Sequence, residues 1–319
     1  MQAKTLADVT FIGDGLQRPE CVLATRRGVL YVSDREGYAT LAPDGAVTRV
    51  RAKNPPEHFL PNGIALLADG SVLIADLGLG GGVWNMAPDG TLTPWLMDVD
   101  SMRLHPTNFV GQDAAGRHWV TVSTRLVPRE QAMVRGYADG YIILVDQAGA
   151  RIVAEGIGFT NEAIPDPAGR YLYVNETQGR RISRLEILGD RLGPRETVCE
   201  FEEGIWPDGM AHDAEGGVWI VSVVSNRVLR IDTATGRAEL FLEDADLLDV
   251  ADAEAAWRSG SAMPRPLLDI GGKRILGNAS SLAFGGPDLR TLYVGTLLGS
   301  RIAMVKVPVA GAPPAHWRF

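Results

Sequence analysis

Short apolar runs set off by turn residues recur from one end of the chain to the other. Val29-Leu30-Tyr31-Val32, Val72-Leu73-Ile74-Ala75, His118-Trp119-Val120-Thr121-Val122, Leu172-Tyr173-Val174, Val218-Trp219-Ile220-Val221 and Thr291-Leu292-Tyr293-Val294 are rich in β-branched and aromatic residues. Such residues suit a pleated, half-buried surface, and runs this short between turns read as strands. Pairs such as Asp44-Gly45, Asp69-Gly70, Asp89-Gly90, Gly116-Arg117, Gly169-Arg170 and Gly216-Gly217 punctuate them. Glycine and aspartate take up the backbone angles that tight turns need. Convincing helical character is confined to Glu243 to Gly260 (EDADLLDVADAEAAWRSG). The pattern predicts an all-β chain with one helical insertion.

A slower repeat lies over the fast one. Glu20, Asn62, Asn108, Asn161, Asp208 and, less cleanly, Ser280 each stand in a short loop about one hairpin before one of those strands. The first five fall about 42 to 53 residues apart, and the last step is about 72. A four-stranded propeller blade occupies roughly 40–50 residues. Six units therefore fill residues 1–319 as a single six-bladed β-propeller, and the long step holds an insertion at residues 243–273. That insertion is expected to be a lid over the channel mouth or a subunit contact. Leu6 to Ile12 and Ile302 to Val309 are expected to pair within one blade, closing the ring and removing free sheet edges.

Composition narrows the partners. With 37 glycines and 19 prolines, the chain favours strands and turns over long helices. Lys and Arg total 31 against 39 Asp and Glu, a net charge of −8 without a basic cluster, which speaks against nucleic-acid binding. No apolar run is long enough to cross a bilayer as a helix, and Met1 to Gly15 has no secretory apolar core, so a cytoplasmic protein without a membrane partner is expected. Cys21 and Cys199 are too few for a disulfide framework and lack metal-finger spacing. The chain is expected to be a monomer or a homodimer.

Equivalent positions in successive blades come round to equivalent places about the ring axis, so the repeated polar residues should converge at one end of the channel. Carboxylate and carboxamide oxygens suit a hard divalent cation, and no His or Cys pair stands at that phase to suggest a dedicated zinc site. The runs Arg18-Pro19-Glu20-Cys21-Val22-Leu23, Pro61-Asn62-Gly63-Ile64-Ala65, Gly158-Phe159-Thr160-Asn161-Glu162-Ala163 and Pro207-Asp208-Gly209-Met210-Ala211-His212-Asp213 carry a resemblance. So does the stretch from Ser281 to Tyr293 (SLAFGGPDLRTLY). Over roughly residues 15–305 the chain resembles the SMP-30/gluconolactonase/regucalcin-like family.

That resemblance implies a six-bladed propeller with one divalent metal at the channel mouth, often hydrolysing sugar lactones. It implies Glu20, Asn161 and Asp208 as metal ligands and Asn108 as a substrate contact. Calcium is favoured, with zinc, magnesium, manganese and iron(II) as the other candidates. The chain departs from the family pattern with Asn108-Phe109 in place of Asn-Asp and Asn161-Glu162 in place of Asn-Gly. Pro106 stands where lactone hydrolases often carry Arg. The run Tyr173-Val174-Asn175-Glu176-Thr177 is closer to strictosidine-synthase-like propellers.

The chemistry expected of such a site is the opening of a small lactone, with a polarised carbonyl and a water deprotonated by Asp208 or Glu20. No Gly-x-Ser-x-Gly elbow offers a serine nucleophile. His105, three residues before Asn108, is expected at the pocket wall as a substrate contact or a plain loop histidine. Asn62 is either a loop-capping amide or a support for the ligands, and Asn62-Gly63 and Asp208-Gly209 are also ordinary turn dipeptides. His118, His212, Trp119 and Trp219 read as structural. Two other functions stay open: a strictosidine-synthase-like or paraoxonase-like enzyme on another substrate, and a non-catalytic metal-binding propeller.

Overall fold

The computed structural model describes residues 2–319. Six four-stranded antiparallel sheets follow one another in chain order, each meandering outward from an innermost strand. The innermost strands are Val22–Ala24, Pro61–Leu66, Thr107–Gln112, Thr160–Pro165, Trp206–His212 and Ala279–Gly285. This is the all-β, six-bladed propeller expected. The sixth blade takes its outermost strand from the start of the chain: Thr10–Ile12 pairs with Ile302–Lys306 through Thr10↔Met304 and Ile12↔Ile302. The expected strand beginning at Leu6 is shorter, because Leu6–Asp8 forms a 3-10 turn in which Asp8 accepts from the Thr5 amide at 2.9 Å.

Blades meet through apolar faces that alternate out of each strand. Trp219 is fully buried between Phe241 of its own blade and Phe284 of the next, edge-on to both at 4.9 and 5.6 Å. Its indole nitrogen donates to Asp213 at 2.9 Å, and Trp119 donates likewise to Asp113 at 3.1 Å. Two blades thus repeat one Asp-x-x-Gly-x-x-Trp unit, in which a turn aspartate satisfies a buried tryptophan. His118 stacks edge-on against Trp95 and His212 against Tyr173, the structural roles expected of them. Cys21 and Cys199 are free and buried, and burial pushes both thiols up, Cys199 to about 11.

The strand order gives the channel two different ends. Turns between first and second strands, such as 113–117 and 213–216, lie at one end and are short. The opposite end, the mouth, carries the starts of all the innermost strands and two long excursions, residues 123–139 of the third blade and 244–278 between the fifth and sixth. The second excursion holds helices α1 (Leu247–Arg258) and α2 (Arg265–Leu268). Asp246 caps α1 by accepting from Leu248 and Asp249 amides. The excursions join where Met263 donates to the Met133 carbonyl at 2.9 Å, and Val250, Ala253 and Met263 pack with Met133, Phe159 and Trp206. Arg180 and Glu254, both buried, pin α1 to the fourth blade at 2.8 Å. Among the described residues no helix is long and apolar enough to cross a membrane.

Candidate functional site

Five of the six innermost strands slip register against their neighbours at the repeated polar residue. The slips fall between Pro61 and Ile64, Thr107 and Phe109, Thr160 and Ala163, Pro207 and Met210, and Ala279 and Ser281. Asn62, Asn108, Asn161, Asp208 and Ser280 therefore sit in bulged strands rather than in the loops expected. A bulge frees a residue from the ladder and re-aims its side chain, which here brings the set to the axis. Asn62-Gly63 and Asp208-Gly209 are not turns. A Cβ on Gly63 would stand 2.7 Å from the Phe109 Cα, and one on Gly209 would stand 2.5 Å from the Ser281 Cα. Only glycine lets the inner strands approach so closely.

All six residues are buried. Asn161 donates through Nδ2 to Asp208 and, at 3.1 Å, to the Thr177 hydroxyl, which leaves its amide oxygen as the atom free to ligate. Thr177 in turn donates to the Pro207 carbonyl at 2.8 Å, and Asn175 to the Asp208 carbonyl at 2.8 Å. The Asn175-Glu176-Thr177 run is thus the bracket that holds Asp208. Asn62 donates to the Asn108 carbonyl at 2.7 Å and accepts from Arg18 at 2.7 Å, which makes it a support for its neighbours. Ser280 donates to the Glu20 carbonyl at 2.9 Å, fixing the backbone on which Glu20 stands. His105 lies half-buried on the loop entering the third blade, and its carbonyl accepts from Thr107 at 3.0 Å. Its imidazole takes no hydrogen bond among the described residues.

Glu20, Glu162 and Asp208 share one buried electrostatic neighbourhood. Burial raises the Glu20 carboxyl to about 7 against the pull of Arg18 and Arg129. Burial and then the Glu20 charge push Asp208 well above the carboxylate range, while Arg129 and the Asn161 amide oppose. Glu162 is raised too, chiefly by burial, and accepts from the Met210 amide at 2.8 Å. In the sequence Glu162 stands out only as a departure from a motif, Arg18 only as the first residue of the run around Glu20, and Arg129 not at all. Arg18 had one visible signal, its place two residues before Glu20; Arg129 had none beyond a wide blade interval.

The donor set fits a hard cation. Glu20 Oε2 and Asn108 Oδ1 are buried without a hydrogen-bond partner, and two desolvated carboxylates that repel each other gain from a shared positive charge. Carboxylates and histidines alone do not make the site: among the described residues no three His, Cys, Asp or Glu side chains form a metal-ready group. The carboxamide is required. A separate cavity of about 580 Å³ occupies the other end of the channel, lined by Ile64, Phe109, Met210, His212 and His316, with Glu162 between the two ends. Glu20, Asn108, Asn161 and Asp208 do not line it.

Residues 18–240 match the model of the SMP-30/Gluconolactonase/LRE-like region, about two-thirds of the chain and all of the mouth residues but Ser280. The chain belongs to this family. It is 26% identical to a 6-deoxy-6-sulfogluconolactonase of Pseudomonas putida over 60% of this chain, spanning about half (54%) of that relative. It is 28% identical to a pentonolactonase of Haloferax volcanii over 69% of this chain and 81% of the relative. Its fold superimposes with a TM-score of 0.68 on regucalcin, a calcium-binding protein of Agrobacterium tumefaciens, at 18% identity over 97% of this chain and 98% of the other. Residues 244–278, which carry α1 and α2, lie beyond the matched range.

Proposed function

We propose that this protein is a lactonase of the SMP-30/gluconolactonase family that opens a small sugar lactone or related cyclic ester at the propeller mouth. The observation that carries the reading is the convergence of Glu20, Asn161 and Asp208, from three blades, in one buried cluster with orphaned oxygens. The two named lactonases among its relatives support it. Glu20, Asn161 and Asp208 would hold one divalent ion, calcium by preference, a choice favoured by the calcium-binding regucalcin relative. When bound, such an ion polarises a carbonyl oxygen and stabilises negative charge developing there.

The chain's own residues supply the rest. Asp208, with its carboxyl held high and its orientation fixed by Asn161 and the Asn175–Thr177 bracket, accepts the proton of the attacking water, and Glu20 is the second carboxylate in reach of that work. Asn108, whose Oδ1 has no partner, accepts from a ring hydroxyl. His105 stands at the rim as a further contact, and Asn62 keeps the Asn108 backbone in place. The roofing insertion, residues 243–273, acts as the lid that excludes bulk water. A cytoplasmic monomer or homodimer with one small-molecule substrate fits this arrangement.

The test is a lactone panel followed by pH-stat, with and without thorough chelation, on the wild type and Asp208→Ala. Hydrolysis abolished by either treatment is expected. Hydrolysis that survives both overturns the mechanism.

A further inference from the structure

Two cations at the mouth are left over by the reaction just described. Arg18 and Arg129 are half-buried, yet among the described residues neither has a carboxylate within salt-bridge distance. Other shielded arginines each hold one: Arg117 pairs with Asp113, Arg180 with Glu254, Arg181 with Glu176 and Arg230 with Asp213. Arg18 spends its guanidinium on the Pro61 carbonyl and Asn62, at 2.6 and 2.7 Å, and so serves as a positioning residue.

Arg129 is different. It stands on the short 3-10 helix Arg129–Ala132 of the third-blade excursion. Its guanidinium lies over the Phe159 ring at 4.8 Å, and one amino group donates to the Ser123 hydroxyl at 3.2 Å. Its other amino group takes no hydrogen bond among the described residues. Both Glu20 and Asp208 feel its charge. Arg265 of α2, within electrostatic range of Arg18 and Arg129, adds a third positive group, itself paired with Asp269 at 2.7 Å. Arg18 and Arg129 face Glu20, Asp208 and Glu162, with Glu130 beside Arg129, and a bound divalent cation would shift that balance toward positive.

Resting on the lactonase reading, we infer that Arg129 is an anion receptor and that the substrate is a lactone bearing an oxyanion substituent remote from the ring carbonyl. A carboxylate, sulfonate or phosphate offers the planar or tripodal oxygens that a guanidinium binds through two parallel hydrogen bonds. Stacking on Phe159 and the Ser123 anchor hold the fork before the ligand arrives, which lowers the ordering cost of binding. A neutral sugar lactone leaves that fork unanswered.

The experiment compares gluconolactone, glucaro-1,4-lactone and 6-phosphogluconolactone by kcat/KM, on the wild type, Arg129→Gln and Arg129→Lys, at low and high salt. The two anionic lactones are expected to exceed the neutral one by about 10-fold or more, with the margin shrinking as salt rises. Arg129→Gln should remove that margin by costing the two anionic lactones about 10-fold more in kcat/KM than the neutral one, and Arg129→Lys should keep part of it. Calorimetric binding of 6-phosphogluconate against gluconate, which differ only in the phosphate, reads the same site without turnover. Equal binding of the two products by the wild type, or equal loss on all three lactones in Arg129→Gln, overturns the inference. Failure to hydrolyse any lactone with the product preference intact sinks the hydrolase reading and leaves the anion site standing.

Discussion

The innermost strand Trp206–His212 carries one aspartate near its start and is followed by a second, contrasting one. Asp208, near its start, faces the mouth; Asp213, just past its end, faces the opposite rim. Both are buried. Asp213 accepts from the Trp219 indole, the Arg230 guanidinium at 2.7 Å and the Glu215 and Gly217 amides, and these bonds outweigh burial to lower its carboxyl. Asp208 has the Asn161 amide and a repelling Glu20, and its carboxyl is raised. The same residue type on the same strand is saturated at one end and left wanting at the other. The saturated carboxylate braces its own blade, whereas the unsaturated one is buried at a standing cost in stability.

The largest effects should separate the two. Asp208→Ala is expected to lower kcat/KM by about 10³-fold or more, while thermal unfolding shows a Tm unchanged or slightly raised, since a strained buried charge has gone. Asp213→Ala should do the reverse. Removing one partner of a buried charge network costs about 3–5 kcal/mol, or on the order of 5–10 °C in Tm, with activity per folded molecule changed by only a few-fold. A large Tm loss in Asp208→Ala, or a large kcat loss in folded Asp213→Ala, breaks the contrast.

The next effect is a pH dependence at the mouth. Glu20 titrates at about 7 in the folded chain against an ordinary value of 4.5. The folded state therefore binds the proton more tightly than the unfolded chain, and stability is lost as pH rises from 4.5 through 7. With chelator present, Tm should fall over that window by an amount worth about 2–3 kcal/mol, and Glu20→Gln should flatten the slope. Added calcium competes with that proton, so the Tm gain it gives should be larger at pH 8 than at pH 5.5. A calcium-induced gain that ignores pH would show that the ion sits elsewhere.

How far the residues could be read without coordinates follows the same divide. Blade count, ring closure and the burial of the repeated polar residues on the innermost strands were legible because each blade repeats one phase, and a repeat turns sequence spacing into position about an axis. The bulges were not legible. Asn62-Gly63 and Asp208-Gly209 look like turns, and only the closeness of Phe109 and Ser281 shows why glycine is there. Arg129 and the Asn175–Thr177 bracket reach the mouth through an excursion and through a neighbouring strand, outside the repeated phase. Residues that act on a site by packing across blades leave no periodic trace.

The smallest effect belongs to the far rim. His212 is buried against Tyr173 at 5.0 Å, its Nε2 has no partner, and burial lowers it to about 4 from an ordinary 6.5. The backbone at Ile164 and the charges of Asp166 and Asp213 pull the other way without winning. Here the unfolded chain binds the proton more tightly, so the sign reverses: stability is full above pH 6.5 and is lost as pH falls toward 4. Asp213 at the same rim, held below the ordinary carboxylate value by its bonds to Arg230, the Gly217 amide and Trp219, stays ionised over this range. The difference in Tm between the wild type and His212→Gln should therefore change between pH 7 and pH 4.5, by the equivalent of about 2 kcal/mol. The mouth should be insensitive to that substitution, and the chelator-dependent slope above pH 5 should survive it intact. If His212→Gln also removed the mouth's slope, the two ends of the channel would be one titrating unit, and the opposition between Asp208 and Asp213 would fall with it.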